Sequence, residues 1–256
     1  MSGSFHDHFS GHAAEYAAHR PGYPEPLFDA LAGLVDRRRL AWDCAGGSGQ
    51  AVRGLASRFE RIVATDGSIA QLARARTSPN VSRWVALAER SGLRTRCIDL
   101  VTVAQALHWF DRPAFYREVR RVVRPGGAIV VWCYSLTRVT PDVDREVDRF
   151  YREVVGPYWP PERTWVEDAY RTIPFEFDEE PFPGHAIEAR WSLDELLGYL
   201  GTWSATRRYM ADRGGDPRVP LAPRLRERWP QPDGGPTPVR WPLGGRVGRI
   251  PGSGSA

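Results

Sequence analysis

Between Trp42 and Gln50 the chain reads Trp-Asp-Cys-Ala-Gly-Gly-Ser-Gly-Gln, an apolar stretch giving way to small residues. Small residues at the exit of a strand let the backbone turn tightly and approach a ligand closely. That places the ligand at the carboxyl edge of a sheet. Asp66 closes a second apolar stretch, 17 residues after Gly49. A carboxylate there can accept hydrogen bonds from both hydroxyls of a ribose, whereas capping the next helix is its competing role. The turn lacks the GxGxxG spacing that seats a pyrophosphate on a helix N-terminus. There is no GxxxxGK(S/T) loop either, and no lysine anywhere. Phosphate-binding nucleotides are therefore disfavoured as ligands. His108 is the residue whose titration range suits proton transfer, with a structural role beside Trp109 as the alternative.

Such residues need strands to present them, and the chain supplies strands in alternation with helices. Residues 26–135 read as helix 26–34, strand 40–44, helix 51–59, strand 61–66, helix 68–76, strand 81–85, strand 97–103, helix 112–123 and strand 128–133. Val52, Leu55, Ala56 and Phe59 share one helical face, and Pro125-Gly126-Gly127 turns the last helix into its strand. Alternation of this kind is the signature of a parallel α/β sheet. Beyond residue 136 the pattern is less regular. Ser192–Met210 reads as one helix, with Ser192 and Glu195 forming a capping box. Two apolar runs in Val239–Ile250, split by Gly244-Gly245, predict a closing hairpin. The organisation expected is a lid segment over 1–25, a cofactor-binding core over 26–135, a cover over 136–251 completing the same domain, and a disordered tail over 252–256.

Composition narrows the partners. The 256 residues suit one large domain. The net charge of +4 comes from arginines scattered among Asp and Glu, without a basic stripe, which argues against nucleic acid. Cys44, Cys97 and Cys133 show no CxxC spacing, so a reducing, cytoplasmic setting is expected. No stretch approaches the ~18 apolar residues of a membrane span. The histidines at 6, 8, 12 and 19, with Asp7, do not make a metal site, and no metal is expected. Oligomeric state is left open.

The run Asp43–Gly49 resembles the first motif of class I S-adenosylmethionine-dependent methyltransferases, an acidic residue followed by a G-x-G-x-G turn. Further stretches resemble the small-molecule branch that includes trans-aconitate methyltransferases. They are Tyr16 with Arg20-Pro21-Gly22-Tyr23-Pro24, Ala104-Gln105-Ala106-Leu107-His108-Trp109-Phe110, and Arg121-Val122-Val123-Arg124-Pro125-Gly126-Gly127. Thr202-Trp203-Ser204-Ala205 and Val239-Arg240-Trp241-Pro242-Leu243 continue the match over nearly the whole chain. The resemblance implies a Rossmann-like fold: a mostly parallel seven-stranded sheet with helices on both faces and a C-terminal antiparallel hairpin.

It also implies S-adenosylmethionine as methyl donor, S-adenosylhomocysteine as product, and roles for particular residues. Backbone groups of Ala45 and Gly47 would face the methionine end, with Asp43, Gly46 and Gly49 in the same turn. Asp66 would hold the ribose, followed by Gly67 and Ser68, with Ala88 and Glu89 at the adenine edge. Ala104 and Gln105 would lie near the amino-acid moiety. Two positions depart from the family pattern: Ala45 replaces the first glycine, and Gly67 stands where an apolar residue often meets adenine. Phe9, Tyr16, Arg20 and Tyr23 are candidates for a lid, with Arg20 available to a carboxylate. Tyr16, Tyr23, His108, Trp109 and Trp203 are the candidate acceptor contacts, with Trp159 and Tyr209 as further aromatics of the cover.

Three functions are compatible with this reading. The favoured one methylates a small-molecule carboxylate, which is ionised at neutral pH and needs no base. The second methylates an N-, O- or C-nucleophile of a biosynthetic intermediate, with His108 as base. The third is a non-catalytic module that only binds S-adenosylmethionine.

Overall fold

The computed structural model describes residues 22–75 and 78–252. Five strands run parallel: β1 (Leu40–Cys44), β2 (Arg61–Asp66), β3 (Val81–Val85), β4 (Ile98–Ala104) and β5 (Val123–Tyr134). Their spatial order is β3-β2-β1-β4-β5, so the chain winds outward in one direction from β1 and in the other from β4. The crevice at such a reversal, beyond the carboxyl ends of β1 and β4, is where open α/β sheets bind ligands.

Strand β5 shows why the central strands read as continuous apolar runs. Ala128, Val130, Trp132 and Tyr134 enter one core, and Ile129, Val131 and Cys133 the other. Period-two alternation thus buries both faces. On the first face lie helices α1 (Glu25–Gly33) and α2 (Gln50–Leu55), burying Leu27, Phe28, Leu31, Val52 and Leu55. Helix α3 (Ile69–Arg74) follows β2, with the Ser68 hydroxyl accepting from Gln71 N. Helix α4 (Arg112–Val122), capped by Asp111, covers the other face with Phe115, Val119 and Val122 at helical spacing. Asp99, almost fully buried in β4, ties the lower edge together. Its Oδ2 accepts from Arg39 N and Leu40 N, and Arg124 pairs with Oδ1 at 2.8 Å.

The chain after β5 contains α5 (Pro141–Arg149), α6 (Arg163–Glu167), β6 (Asp178–Glu180), β7 (Ala186–Trp191), α7 (Leu193–Gly201), α8 (Ser204–Arg213) and α9 (Leu221–Arg228). Strand β8 (Thr237–Arg249) returns to the sheet between β5 and β6, antiparallel to both, while its first half pairs with β7. Among the described residues the sheet therefore has eight strands, one more than the resemblance implied.

Two local expectations need correction. Gly244-Gly245 is not a hairpin turn, because β8 passes straight through it. These glycines provide clearance instead: a β-carbon on Gly244 would lie 2.6 Å from Ala169 Cβ, and one on Gly245 2.8 Å from Trp132 Cβ. The segment Ser192–Met210 is two helices, broken at Thr202-Trp203, where the Thr202 hydroxyl donates to Tyr199 O. The capping box at Ser192 and Glu195 is present.

Candidate active site

Strand β1 ends in a turn that needs left-handed backbone. Ala45 has φ 55° and Gly47 φ 52°. The turn is clamped to β2 by Gly46 N donating to Thr65 O at 3.0 Å and Gly47 N donating to Asp66 Oδ2 at 2.9 Å. The other oxygen, Asp66 Oδ1, accepts from Ser68 N at 2.8 Å. Ser68 itself caps α3, so Asp66 is not the cap, and its carboxylate braces the two backbone turns that face each other across the crevice.

Asp43 lies beneath the same turn, 1% exposed. Its Oδ1 accepts from the Thr102 hydroxyl at 2.8 Å, and its Oδ2 has no hydrogen-bond partner among the described residues. Burial pushes its pKa up to about 7, against the lowering effect of the Thr102 bond and with help from the nearby Asp66 charge. A β-carbon on Gly46 would fall 2.7 Å from that unpartnered oxygen. Glycine therefore keeps open the approach to a carboxyl group that has no counter-charge among the described residues.

These groups open into a cleft of about 660 Å³, within the size range of small-molecule sites. Of the expected cofactor residues, Asp43, Ala45, Gly46 and Gly47 line it from β1. Asp66, Gly67 and Ser68 do so from β2, and Ala88, Glu89, Ala104 and Gln105 after β3 and β4. Gly49 does not line it; with φ 82° it starts α2 from a buried position. Glu89 Oε1 accepts from Asp111 N at 2.9 Å, which couples the loop after β3 to the start of α4. Of the expected acceptor contacts, Tyr23, His108 and Trp109 line the cleft. Arg20 and Tyr16 lie outside the described residues, as do Phe9 and the histidines near the N-terminus.

Trp203 requires correction. It is 4% exposed and packs against Phe150, Tyr151, Trp159 and Tyr199, away from the cleft wall. A large flat side chain with four rings for neighbours gains more from core packing than from exposure in a cleft. Trp159 belongs to the same cluster, and Tyr209 packs edge-on to Tyr158.

His108 sits in a single 3-10 turn, Leu107–Trp109, just beyond β4. It is 9% exposed, its ring centroid 4.6 Å from that of Trp109, and its Nδ1 lies 3.1 Å from Tyr170 Oη. Burial lowers its pKa to about 3, and the guanidinium charges of Arg163 and Arg112 add to the effect. Tyr170 is fully buried, and burial holds its hydroxyl well above the usual phenol range. At neutral pH the pair is a neutral imidazole facing a neutral phenol.

Several wall residues were not singled out from sequence. Tyr134 ends β5 beside β4, so its place at the carboxyl edge was an available signal. Leu87, 44% exposed, supplies an apolar side chain to the cleft that Gly67 also lines. Glu162 arrives from the irregular chain after β5 and gave no local signal; nor did Tyr170, which is fully buried and stands behind His108 rather than in the wall. In sum the described wall carries the carboxylates of Asp43, Asp66, Glu89, Asp111 and Glu162 and no arginine. Such a wall suits a cationic ligand. A sulfonium with an attached ammonium fits the unpartnered Asp43 oxygen, whose approach a β-carbon on Gly46 would crowd. Among the described residues no helix is long and apolar enough to cross a membrane.

Comparison with known proteins agrees with this chemistry. A family model described as a methyltransferase domain matches residues 42–131. A protein named as a methyltransferase in Dictyostelium discoideum is 34% identical over 204 residues, covering 78% of each chain. The solved structure of a protein described as a type II methyltransferase from Anaeromyxobacter dehalogenans is 47% identical, with a TM-score of 0.86, over 91% of this chain and 99% of that one. A phosphoethanolamine N-methyltransferase from Haemonchus contortus, solved with S-adenosyl-L-methionine, shares the fold alone. It is 16% identical with a TM-score of 0.50, over 94% of this chain and 57% of that one. With the cleft, the unpartnered carboxylate and these relatives in agreement, the chain belongs to the class I S-adenosylmethionine-dependent methyltransferases.

Proposed function

We propose that this enzyme methylates a small-molecule acceptor on an oxygen that is already ionised at neutral pH, a carboxylate being the favoured case and a methyl ester the product. The observation that carries the reading is His108. A general base works best with a pKa near the operating pH. At about 3, with Nδ1 against a buried phenol, His108 is a poor proton acceptor at pH 7. It remains well suited to hydrogen-bond and orient an acceptor that needs no deprotonation.

S-adenosylmethionine, when bound, supplies a methyl group on a positively charged sulfur. The chain's own residues then have three tasks. Asp43, with its unpartnered oxygen, would offset positive charge at the methionine end, and the Gly46-Gly47 backbone would allow close approach. Asp66 and Ser68 would hold the ribose, with Gly67 and the Ala88-Glu89 loop at the base. His108, Trp109 and Tyr23 would align the acceptor and exclude water, which is the larger part of catalysis when the donor is already activated.

A second reading has one observation in its favour. The described wall carries five carboxylates and no arginine, which suits an amine-bearing acceptor better than an anionic one. The expected arginine partner of a carboxylate, Arg20, lies outside the described residues. Transfer of labelled methyl groups to a panel of acids, phenols and amines separates the readings, because mild alkali releases methanol only from esters. Alkali-labile label in acids is the expected result. Alkali-stable label in amines would replace the first reading with the second. Failure of the folded protein to bind S-adenosylmethionine would overturn both and leave no support for a cofactor-binding module either.

A further inference from the structure

Tyr170 has no counterpart among the residues the sequence marked, yet the fold spends an unusual amount of backbone energy on placing it. Ala169 has φ 53° and Tyr170 φ 64°, two successive left-handed residues that each carry a β-carbon. That region is sparsely populated for such residues and persists only where its surroundings enforce it. Here the enforcement comes from β8. The Arg246 guanidinium donates to Tyr170 O at 3.2 Å and also to Ile173 O, and it pairs with Glu179. Gly244, facing Ala169, leaves room that a β-carbon would fill. The consequence of this distorted turn is that a fully buried phenol ends 3.1 Å from His108 Nδ1.

We propose that Tyr170 is a positioning residue: its hydroxyl donates to His108 Nδ1 and thereby fixes the imidazole as the Nε2–H tautomer. The argument is one of hydrogen-bond accounting. A neutral imidazole has one donor and one acceptor nitrogen. If Nδ1 accepts the phenol hydrogen, both groups are satisfied and the remaining N–H belongs to Nε2, the other ring nitrogen of a cleft-lining side chain. If Nδ1 carried the hydrogen instead, the phenol hydrogen would be buried without an acceptor, because no other hydrogen bond reaches Tyr170 Oη among the described residues. A buried unsatisfied donor is costly, which sets the balance in favour of the Nε2–H form. Cys133 and Tyr23 face Tyr170, and Arg163 and Arg112 face His108; none of them supplies a competing hydrogen bond to the pair. His108 so fixed is a hydrogen-bond donor to the acceptor oxygen and cannot take its proton. This rests on the proposal of an acceptor ionised before binding and supplies the group that recognises it.

The test has a readout independent of turnover. In protein with nitrogen-15 histidine, the ring nitrogens of His108, assigned by comparison with His108→Gln, should at pH 7 show a protonated Nε2 and an unprotonated Nδ1. Tyr170→Phe keeps the ring and removes the hydroxyl. It should convert this to a mixture of tautomers and raise the acceptor KM by about tenfold, the worth of one such hydrogen bond, with S-adenosylmethionine affinity little changed. A protonated Nδ1 in the unaltered protein, or an unchanged tautomer in Tyr170→Phe, would overturn the proposal. Should Tyr170→Phe not fold, the tautomer of the unaltered protein still decides. Because that spectrum needs no acceptor, a wrong acceptor class and a wrong tautomer are told apart.

Discussion

Replacing Asp43 with Asn should make the cofactor-free protein more stable above neutral pH while weakening its hold on S-adenosylmethionine. Asp43 is 1% exposed, with one oxygen unpartnered among the described residues, and its pKa is pushed from 3.8 to about 7. In the unfolded chain this carboxyl loses its proton near 3.8, whereas in the fold it keeps it until about 7. Between those values the folded state binds more protons, so stability must fall as pH rises through the window. A shift of this size corresponds to roughly 4 kcal/mol. That is an upper limit on the gain, because the Asn amide brings buried donors of its own at about 1–3 kcal/mol. The net gain above pH 7 should be about 1–3 kcal/mol. For a chain of this length each kcal/mol moves Tm by roughly 2–4 °C. Thermal unfolding of both proteins from pH 4 to 8.5 should show the variant's advantage growing with pH and levelling off above 7. Calorimetric titration at pH 8 should show affinity for S-adenosylmethionine at least about tenfold weaker, the loss expected for one charge-assisted contact. An advantage that does not change with pH, or one that shrinks as pH rises, would refute the account of Asp43. Unchanged affinity would remove it from the cofactor site.

Four other outcomes follow from the same geometry. Affinity for S-adenosylmethionine should itself fall about tenfold between pH 8 and pH 6, because a cation selects ionised Asp43, which is then the minor form; flat calorimetric affinities would exclude that contact. Ala45→Gly should raise Tm, since a left-handed residue with a β-carbon costs roughly 1–2 kcal/mol against roughly 0.5–1 kcal/mol for glycine's extra freedom; a lowered Tm would contradict the strain at φ 55°. His108 takes its proton near 6.5 unfolded but only near 3 folded, so its neutral burial loses stability as pH falls through that window; the Tm of His108→Gln relative to the unaltered protein should therefore rise on acidification. Trp203→Ala should cost roughly 3–5 kcal/mol in thermal unfolding and leave the acceptor KM within about twofold, as suits a core ring and not a substrate contact.

What the sequence disclosed and what it hid divide along a physical line. The turn at Ala45–Gly49 and the carboxylate at Asp66 were legible because each is a local event: small residues at a strand exit, and an acid where an apolar run stops. The central strand Ala128–Cys133 was legible for the same reason, a short apolar run opened by Pro125-Gly126-Gly127. Contacts between distant parts of the chain left no such trace. Gly244-Gly245 has the composition of a turn, and only the approach of Ala169 and Trp132 explains it as clearance inside a strand. Trp203 looks like any aromatic in an aromatic-rich cover, and which way it faces depends on four other rings. Tyr170 meets His108 across 62 residues, with a backbone conformation that its residue type would argue against.

Strain offers a route to the site that owes nothing to family resemblance. Among the described residues, five other than glycine have positive φ: Ala45, Arg96, Gln105, Ala169 and Tyr170. Two of them, Ala45 and Gln105, leave the carboxyl ends of β1 and β4, the strands that bound the crevice, and both line the cleft. Two more, Ala169 and Tyr170, set the phenol behind His108. Only Arg96 lies elsewhere, before β4 at the opposite edge of the sheet. To these must be added the unpartnered oxygen of Asp43, a cost of a different kind at the same place. Left-handed backbone and unpaired buried charge each lower stability and are retained where a fold over-determines them. Here the over-determination is visible: Trp132, fully buried, receives the Gln105 N–H on its carbonyl at 2.8 Å, and Arg246 ties down the turn at Tyr170. A structure that concentrates such costs around one crevice is organised to present groups to a ligand there. The same crevice is the one that the reversal of strand order selects on topology alone.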